Sequence, residues 1–203
     1  MMEKEIIENH NRFLERVALY KEYGYDIEKE RFFIIEKARP VSGAILEAGT
    51  GKGYFTLALA REGYTFTSFD ISDEEQKYAR LNLTYHGLEE RVHFDIADAE
   101  WLPYNDASFN VIFAVNMIHH LSSVRKVFDE FIRILSPQGK IILSDFNDRG
   151  FVLLDEIHAL DGRRHEVTGT IDEARAKLTE RGFMMKEYNS EMQYVIVASS
   201  ASV

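Results

Sequence analysis

The chain contains no cysteine. That excludes a disulfide scaffold, a cysteine-ligated zinc site, thiolate catalysis and cysteine-ligated iron–sulfur clusters. With only 3 prolines and 12 glycines, collagen-like and linker-rich organisations fall away as well. Positive charge is scarce: 24 Lys+Arg stand against 34 Asp+Glu, a formal balance of −10. Nucleic acid and anionic membrane surfaces both demand clustered cations, so this balance opposes either as a partner. No apolar run approaches the roughly 18 residues of a membrane span, and the longest, such as Val111–Val115, are strand-sized. The first eight residues are charged and carry no targeting pattern, so a cytoplasmic location is expected.

What is present reads as a globular chain. Hydrophobic residues make up 45%, enough for one full core at 203 residues, and no repeat or composition break divides the chain. One domain, 1–203, is expected, made of an N-terminal helical lid (1–40), a core (41–145) and a C-terminal part (146–203). Ile6, His10, Phe13, Leu14, Val17 and Tyr20 fall on one helical face, which Gly24 can end. Asp26 can cap a second helix through Phe32, Phe33 and Ile34 that must stop before Pro40. Strand-like runs follow at Ala44–Leu46, Thr65–Phe69, Val92–Ile96, Val111–Val115 and Lys140–Leu143. Helical stretches at Tyr54–Arg61, Ser72–Leu83 and Val124–Leu135 separate them, the second opening with Ser72 and Glu75 at capping-box spacing. This alternation indicates right-handed βαβ units in an α/β, doubly wound, mostly parallel sheet. A helix at Phe151–Leu160, another from a Thr170/Glu173 capping box to Gly182, and strands at Phe183–Tyr188 and Tyr194–Ala198 complete it. The last two form an antiparallel hairpin and bring the sheet to seven strands.

The segment Ala44-Ile-Leu-Glu-Ala-Gly-Thr-Gly-Lys-Gly-Tyr-Phe55 reads as strand, glycines, helix. Glycines there let the backbone bend sharply and approach a ligand. The dinucleotide pattern G-x-G-x-x-G fails, because Tyr54 or Thr56 stands at its third glycine. The phosphate-binding P-loop fails too, because Gly53 stands where Ser or Thr is needed after Gly51-Lys52. Glu47 at the strand end would repel a pyrophosphate but suits a cationic amine. Asp70, at the tip of the second strand, can accept hydrogen bonds from ribose hydroxyls. The crevice is arranged for ribose plus a positive group, without phosphate.

Ile45-Leu-Glu-Ala-Gly-Thr-Gly-Lys-Gly53 closely resembles the first motif of class I S-adenosylmethionine-dependent methyltransferases, E/D-x-G-x-G-x-G. The later landmarks follow in order. Asp70 stands at the ribose-binding acid. Asp95-Ile-Ala-Asp-Ala-Glu-Trp-Leu-Pro103 is similar to the adenine-binding segment. Phe109–Leu121 is similar to the fourth-strand motif of the small-molecule branch, methyltransferase type 11, and Leu135–Leu143 to its helix-turn-strand region. Asn110 and Gln138 depart from the common Asp and Gly.

The resemblance implies a Rossmann-like fold, S-adenosylmethionine as methyl donor, S-adenosylhomocysteine as product and a small-molecule acceptor. It implies that Gly49, Thr50, Gly51 and Gly53 approach the methionine part and ribose, and that Glu47 stabilises the amino group. Asp70 would bind the ribose and Ile71 would pack on the adenine. Asp98 and the Ala99 N–H would read the adenine ring, with a turn cap as the other reading of Asp98. The Asn116 carbonyl would face the methionine amine. Methyl transfer asks for positioning, exclusion of water and sometimes a base. His119 and His120, just after the fourth strand, are the candidate bases, and a tight turn lets only one face the crevice. No metal site is expected: His158 and His165 on one helix would lie roughly 10 Å apart along its axis. Arg163 and Arg164 are candidates for a substrate anion. Tyr20, Tyr23 and Tyr25 either close over the site or pack. A non-catalytic nucleotide-binding protein and an NAD-type oxidoreductase remain as alternative functions, and a protein acceptor stays open.

Overall fold

The computed structural model describes residues 2–162 and 167–200. Strands β1 (Ile45–Ala48), β2 (Phe66–Asp70), β3 (Val92–Ile96), β4 (Phe109–Val115), β5 (Leu135–Phe146), β6 (Met184–Asn189) and β7 (Gln193–Ser199) form one sheet in the order β3-β2-β1-β4-β5-β7-β6. The pairs from β3 to β5 are parallel; β7 inserts antiparallel between β5 and β6. This is the doubly wound sheet with a terminal hairpin that the alternation of strand and helix runs implies. Its strand order reverses between β1 and β4, so a crevice opens at their carboxyl ends.

The period-two alternation of β1 sorts its side chains. Leu46 and Ala48 join one core with helices α5 (Val124–Ile134) and α7 (Ile171–Glu180). Ile45 faces the other core, built by α2 (Ile27–Ala38), α3 (Tyr54–Arg61) and α4 (Asp73–Tyr85). Glu47 follows Ile45 onto that second face. A third cluster joins Tyr20 of α1 (Met2–Glu22), Tyr25 and Ile27 to Phe146, Met192 and α6 (Asp148–Leu160). Tyr20 and Tyr25 are therefore packed inside, while Tyr23 is exposed.

The caps form where the sequence places them. Asp26 accepts from the Lys29 N–H and Ser72 from the Glu75 N–H, and Thr170 with Glu173 makes the reciprocal box. Helix α2 runs through Phe32, Phe33 and Ile34 and stops before Pro40 as expected; its buried stripe is Ile27, Glu30, Arg31, Ile34, Ile35 and Ala38, and Phe32 is exposed. One element differs from the sequence reading. Strand β5 starts at Leu135 rather than Lys140, because Leu135 already pairs with Phe109 before a register shift sets Val111 opposite Lys140. Asn110, at that irregularity, accepts from the Ala44 N–H (2.9 Å) and donates to Ser136 Oγ (2.9 Å). It ties β1 to the start of β5 and lies away from the crevice.

Candidate active site

The three turn glycines all have positive φ, and each answers a different constraint. A Cβ on Gly49 would stand 3.0 Å from that of Met117, so glycine keeps the end of β1 against the turn after β4. A Cβ on Gly53 would stand 2.5 Å from that of Ala79, so glycine admits α4 against the start of α3. Gly51 has nothing within 4 Å of that position, leaving its face open to a ligand. The turn is fastened to β2: the Gly49 and Thr50 N–H groups donate to the Phe69 carbonyl (2.9 and 3.1 Å). The Gly51 N–H donates to Asp70 Oδ2 (2.7 Å), while Asp70 Oδ1 accepts from the Ser72 N–H (3.0 Å). Asp70 is thus aimed at the turn.

Below the turn runs a buried polar ladder. Glu47 is 1% exposed, and its two carboxyl oxygens take the hydroxyls of Thr56 (2.9 Å) and Ser68 (2.6 Å). Burial pushes the Glu47 carboxyl up to about 8; the two hydroxyls and the Arg31 charge oppose the shift, and the Asp70 charge adds to it. Thr50 Oγ1 lies 2.6 Å from Ser68 Oγ and accepts from Gln76 Nε2 (3.1 Å). Thr50 is therefore held as a structural member of the turn.

A cleft of about 430 Å³ opens beside Gly49, lined by Asp70, Ile71, Asp98, Ala99, Met117 and His120 among others. Ile71 is 72% exposed and forms part of its wall. Asp98 Oδ1 accepts from the Glu100 N–H (2.9 Å), a local turn bond that orients the loop carrying Ala99.

Across the turn, Asn116 closes β4 with φ 52°. Its side-chain oxygen accepts from Arg31 Nη2 (2.9 Å) and its nitrogen donates to Gln193 Oε1 (2.7 Å). Gln193 also takes the Ser144 hydroxyl (2.7 Å) and donates to Tyr25 Oη (2.9 Å). Arg31 is 7% exposed, and its buried Nε has no hydrogen-bond partner among the described residues. A buried guanidinium with an unused donor beside a buried carboxyl matches a ligand carrying both carboxylate and ammonium, as the methionine end of S-adenosylmethionine does.

Both histidines lie in the 3₁₀ turn Ile118–His120 but differ in exposure. His119 is 2% exposed, with Nδ1 2.6 Å from Asp145 Oδ1 and its N–H on Asp145 Oδ2 (3.1 Å). His120 is exposed and lines the cleft, its ring 4.0 Å from that of His119. Phe151 of α6 meets the His119 ring edge-on. The structure thus gathers Glu47, Gly49, Gly51, Asp70, Ile71, Asp98, Ala99, Asn116 and both histidines around the carboxyl ends of β1, β2 and β4. Sequence reasoning missed Arg31, Asp145 and Gln193. Asp145 lies at the end of an apolar strand much as Asp70 does, and so carried a readable signal; Arg31, on the inward stripe of α2, did not. Arg163, Arg164, His165 and Glu166 lie outside the described residues.

Residues 46–143 match the family described as "methyltransferase domain". Over 114 residues the chain is 37% identical to methyltransferase GfsG of Streptomyces halstedii, covering 56% of this chain and 40% of that protein. It is 34% identical over 121 residues to the ubiquinone biosynthesis O-methyltransferase of Xylella fastidiosa, 58% of this chain and 48% of that one. The chain spans about half the length of the curated relatives it matches. Among solved structures, the protein PH0226 of Pyrococcus horikoshii superposes with TM-score 0.71 at 20% identity, covering 89% of this chain and 94% of that one. The [4+2]-cyclase SpnF superposes with TM-score 0.67 at 18% identity over 87% and 82%. These two likenesses establish the Rossmann-like fold alone.

Proposed function

We propose that this chain, whose residues 46–143 match a methyltransferase-domain family, transfers a methyl group from S-adenosylmethionine to an O, N or C atom of a small molecule. The observation that carries this reading is the set of three groups around the glycine turn: Glu47, Arg31 with its unused Nε, and Asp70 aimed at Gly51. Arg31 and Glu47 would hold the methionine carboxylate and ammonium, Asp70 the ribose, and Ile71, Asp98 and Ala99 the adenine. S-adenosylmethionine supplies an activated methyl group on a sulfonium. The acidic balance of the chain supports a small-molecule acceptor over a nucleic acid, and a cytoplasmic setting belongs to the same reading.

The protein's own task is then positioning and proton removal. Asp145 Oδ1 lies 2.6 Å from His119 Nδ1 and so sets the orientation of the ring. Its second oxygen takes the His119 N–H and so fixes the backbone that carries the ring. His119 is the base in this reading and Asp145 its positioning residue; His120, facing the cleft, is a wall. Replacement of His119 by Ala should lower turnover by about 10²–10⁴-fold, while affinity for S-adenosylhomocysteine stays within a few-fold. Asp145→Asn should show a similar loss, and His120→Ala a smaller one. Equal activity of the His119 variant would leave positioning as the whole mechanism, and loss of S-adenosylhomocysteine binding would make the histidine structural.

A further inference from the structure

A second cavity, of about 380 Å³, lies between α1, the glycine turn and α4, and shares no lining residue with the cleft beside Gly49. That volume falls within the range of small-molecule sites. Phe13 of α1, Tyr54 of α3 and Tyr78 of α4 give it aromatic walls. Three cations line it: Arg12 and Arg16, one turn apart on α1, and Lys52, between Gly51 and Gly53. Several other cations of α1 and α4 are neutralised, while Arg80 on α4 donates to Gln76 and stacks on Phe94. Lys4 and Lys21 on α1 pair with Glu8 and Asp26, and Lys77 on α4 pairs with Glu5. Among the described residues, Arg12, Arg16 and Lys52 have no carboxylate within ion-pairing distance. Aromatic faces hold two of them instead: Lys52 Nζ stands 5.8 Å from the centroid of Tyr78, and Arg16 Cζ 5.5 Å from that of Tyr20. Glu15 and Asp161 also line the cavity, Asp161 acts on Arg16 and Glu5 on Arg12, and the lining keeps a net positive charge of one. On a chain with a balance of −10 this is a local reversal of sign.

We propose that this cavity is a binding site for a small molecule carrying an oxyanion next to a planar or apolar body, distinct from the methyl donor. Arg12 and Arg16 offer guanidinium forks for the oxyanion, Lys52 a point charge, and the aromatic walls take the body. Because Lys52 belongs to the glycine turn, such a ligand would sit against the segment that receives the donor.

Benzoate and its neutral isostere benzamide are suitable probes, followed by ligand-observed NMR with and without saturating S-adenosylhomocysteine. Benzoate should bind at least about fivefold more tightly than benzamide, and S-adenosylhomocysteine should leave that binding in place. The double variant Arg12→Gln/Arg16→Gln, and separately Lys52→Gln, should weaken benzoate about tenfold, as expected for loss of charge-assisted hydrogen bonds. Because Arg12 is exposed, the double variant should fold; circular dichroism checks this, and Lys52→Gln gives an independent reading. Equal binding of the two probes, or unchanged benzoate binding in the variants, overturns the proposal. Competitive displacement of benzoate by S-adenosylhomocysteine also overturns it, by assigning the cations to the donor's carboxylate. The benzoate arm without S-adenosylhomocysteine reads the cavity whether or not the methyltransferase reading holds.

Discussion

With its carboxyl closed off between Thr56 and Ser68, Glu47 holds a proton that the unfolded chain would release. Its folded value lies near 8, against 4.5 for the free group, so folding takes up a proton between those limits. The stability this group contributes is complete below the lower limit and is lost as pH rises through the upper one. Each unit corresponds to about 1.4 kcal/mol, so the sensitivity is on the order of a few kcal/mol. Glu47→Gln should flatten the decline in the denaturation midpoint between pH 6 and 8.5. In the wild type a cationic amine beside Glu47 favours the ionised form. Donor binding near pH 7 should therefore release a proton, seen as a buffer-dependent heat in calorimetry, and Glu47→Gln should abolish that heat. Glu47 and Asp70 were legible in the sequence because a strand tip next to glycines leaves an acid few other uses. Arg31 was not, because beside Phe32 and Phe33 it reads as the polar face of a helix; only the packed helix reveals that its stripe turns inward. Gly53 was legible as part of a motif, but its physical reason, the approach of Ala79, lies in a helix pairing that no local pattern contains.

The loop between β3 and β4, which carries Asp98 and Ala99, is pinned by one side chain of α5. Arg133 donates to the carbonyls of Leu102 (3.0 Å) and Tyr104 (2.8 Å) and to Asp106 (2.8 Å). Glu130, paired with Arg133, accepts from the Leu102 N–H (2.9 Å). Tyr104 in turn donates to Asp95 at the end of β3 (2.8 Å). Removing this clamp frees the loop without opening the sheet. Arg133→Ala should therefore cost about 1–3 kcal/mol of stability and weaken S-adenosylhomocysteine by about three- to tenfold, with Arg133→Lys intermediate; equilibrium denaturation and calorimetry measure the two. At this scale most of the architecture was readable. Every strand and helix of the sequence reading exists, because period-two and helical patterns were long and their caps intact. The early start of β5 escaped, since Ser136, Pro137, Gln138 and Gly139 carry no strand pattern and are extended only by pairing with β4 and by the register shift beside Asn110.

For the whole molecule, the donor should act as a stabiliser in proportion to its affinity. S-adenosylhomocysteine at about 100 times its dissociation constant should add about 2.7 kcal/mol to unfolding. NADH, whose pyrophosphate would meet the Asp70 carboxylate, should leave the melting temperature unchanged; equal shifts with both would remove the donor assignment. The hydrogen-bonded knot beneath Asn116 carries a kinetic corollary. It draws Tyr25 and Arg31 from the start of the chain, Asn116 and Ser144 from its middle and Gln193 from its end, and the Tyr25–Gln193 bond spans 168 positions. Loop closure on that length is slow to be repaid during folding. The pocket can mature only after the final strand has slid into its antiparallel slot. Strand pairings closer in sequence would thus form before the pocket becomes competent for its ligand.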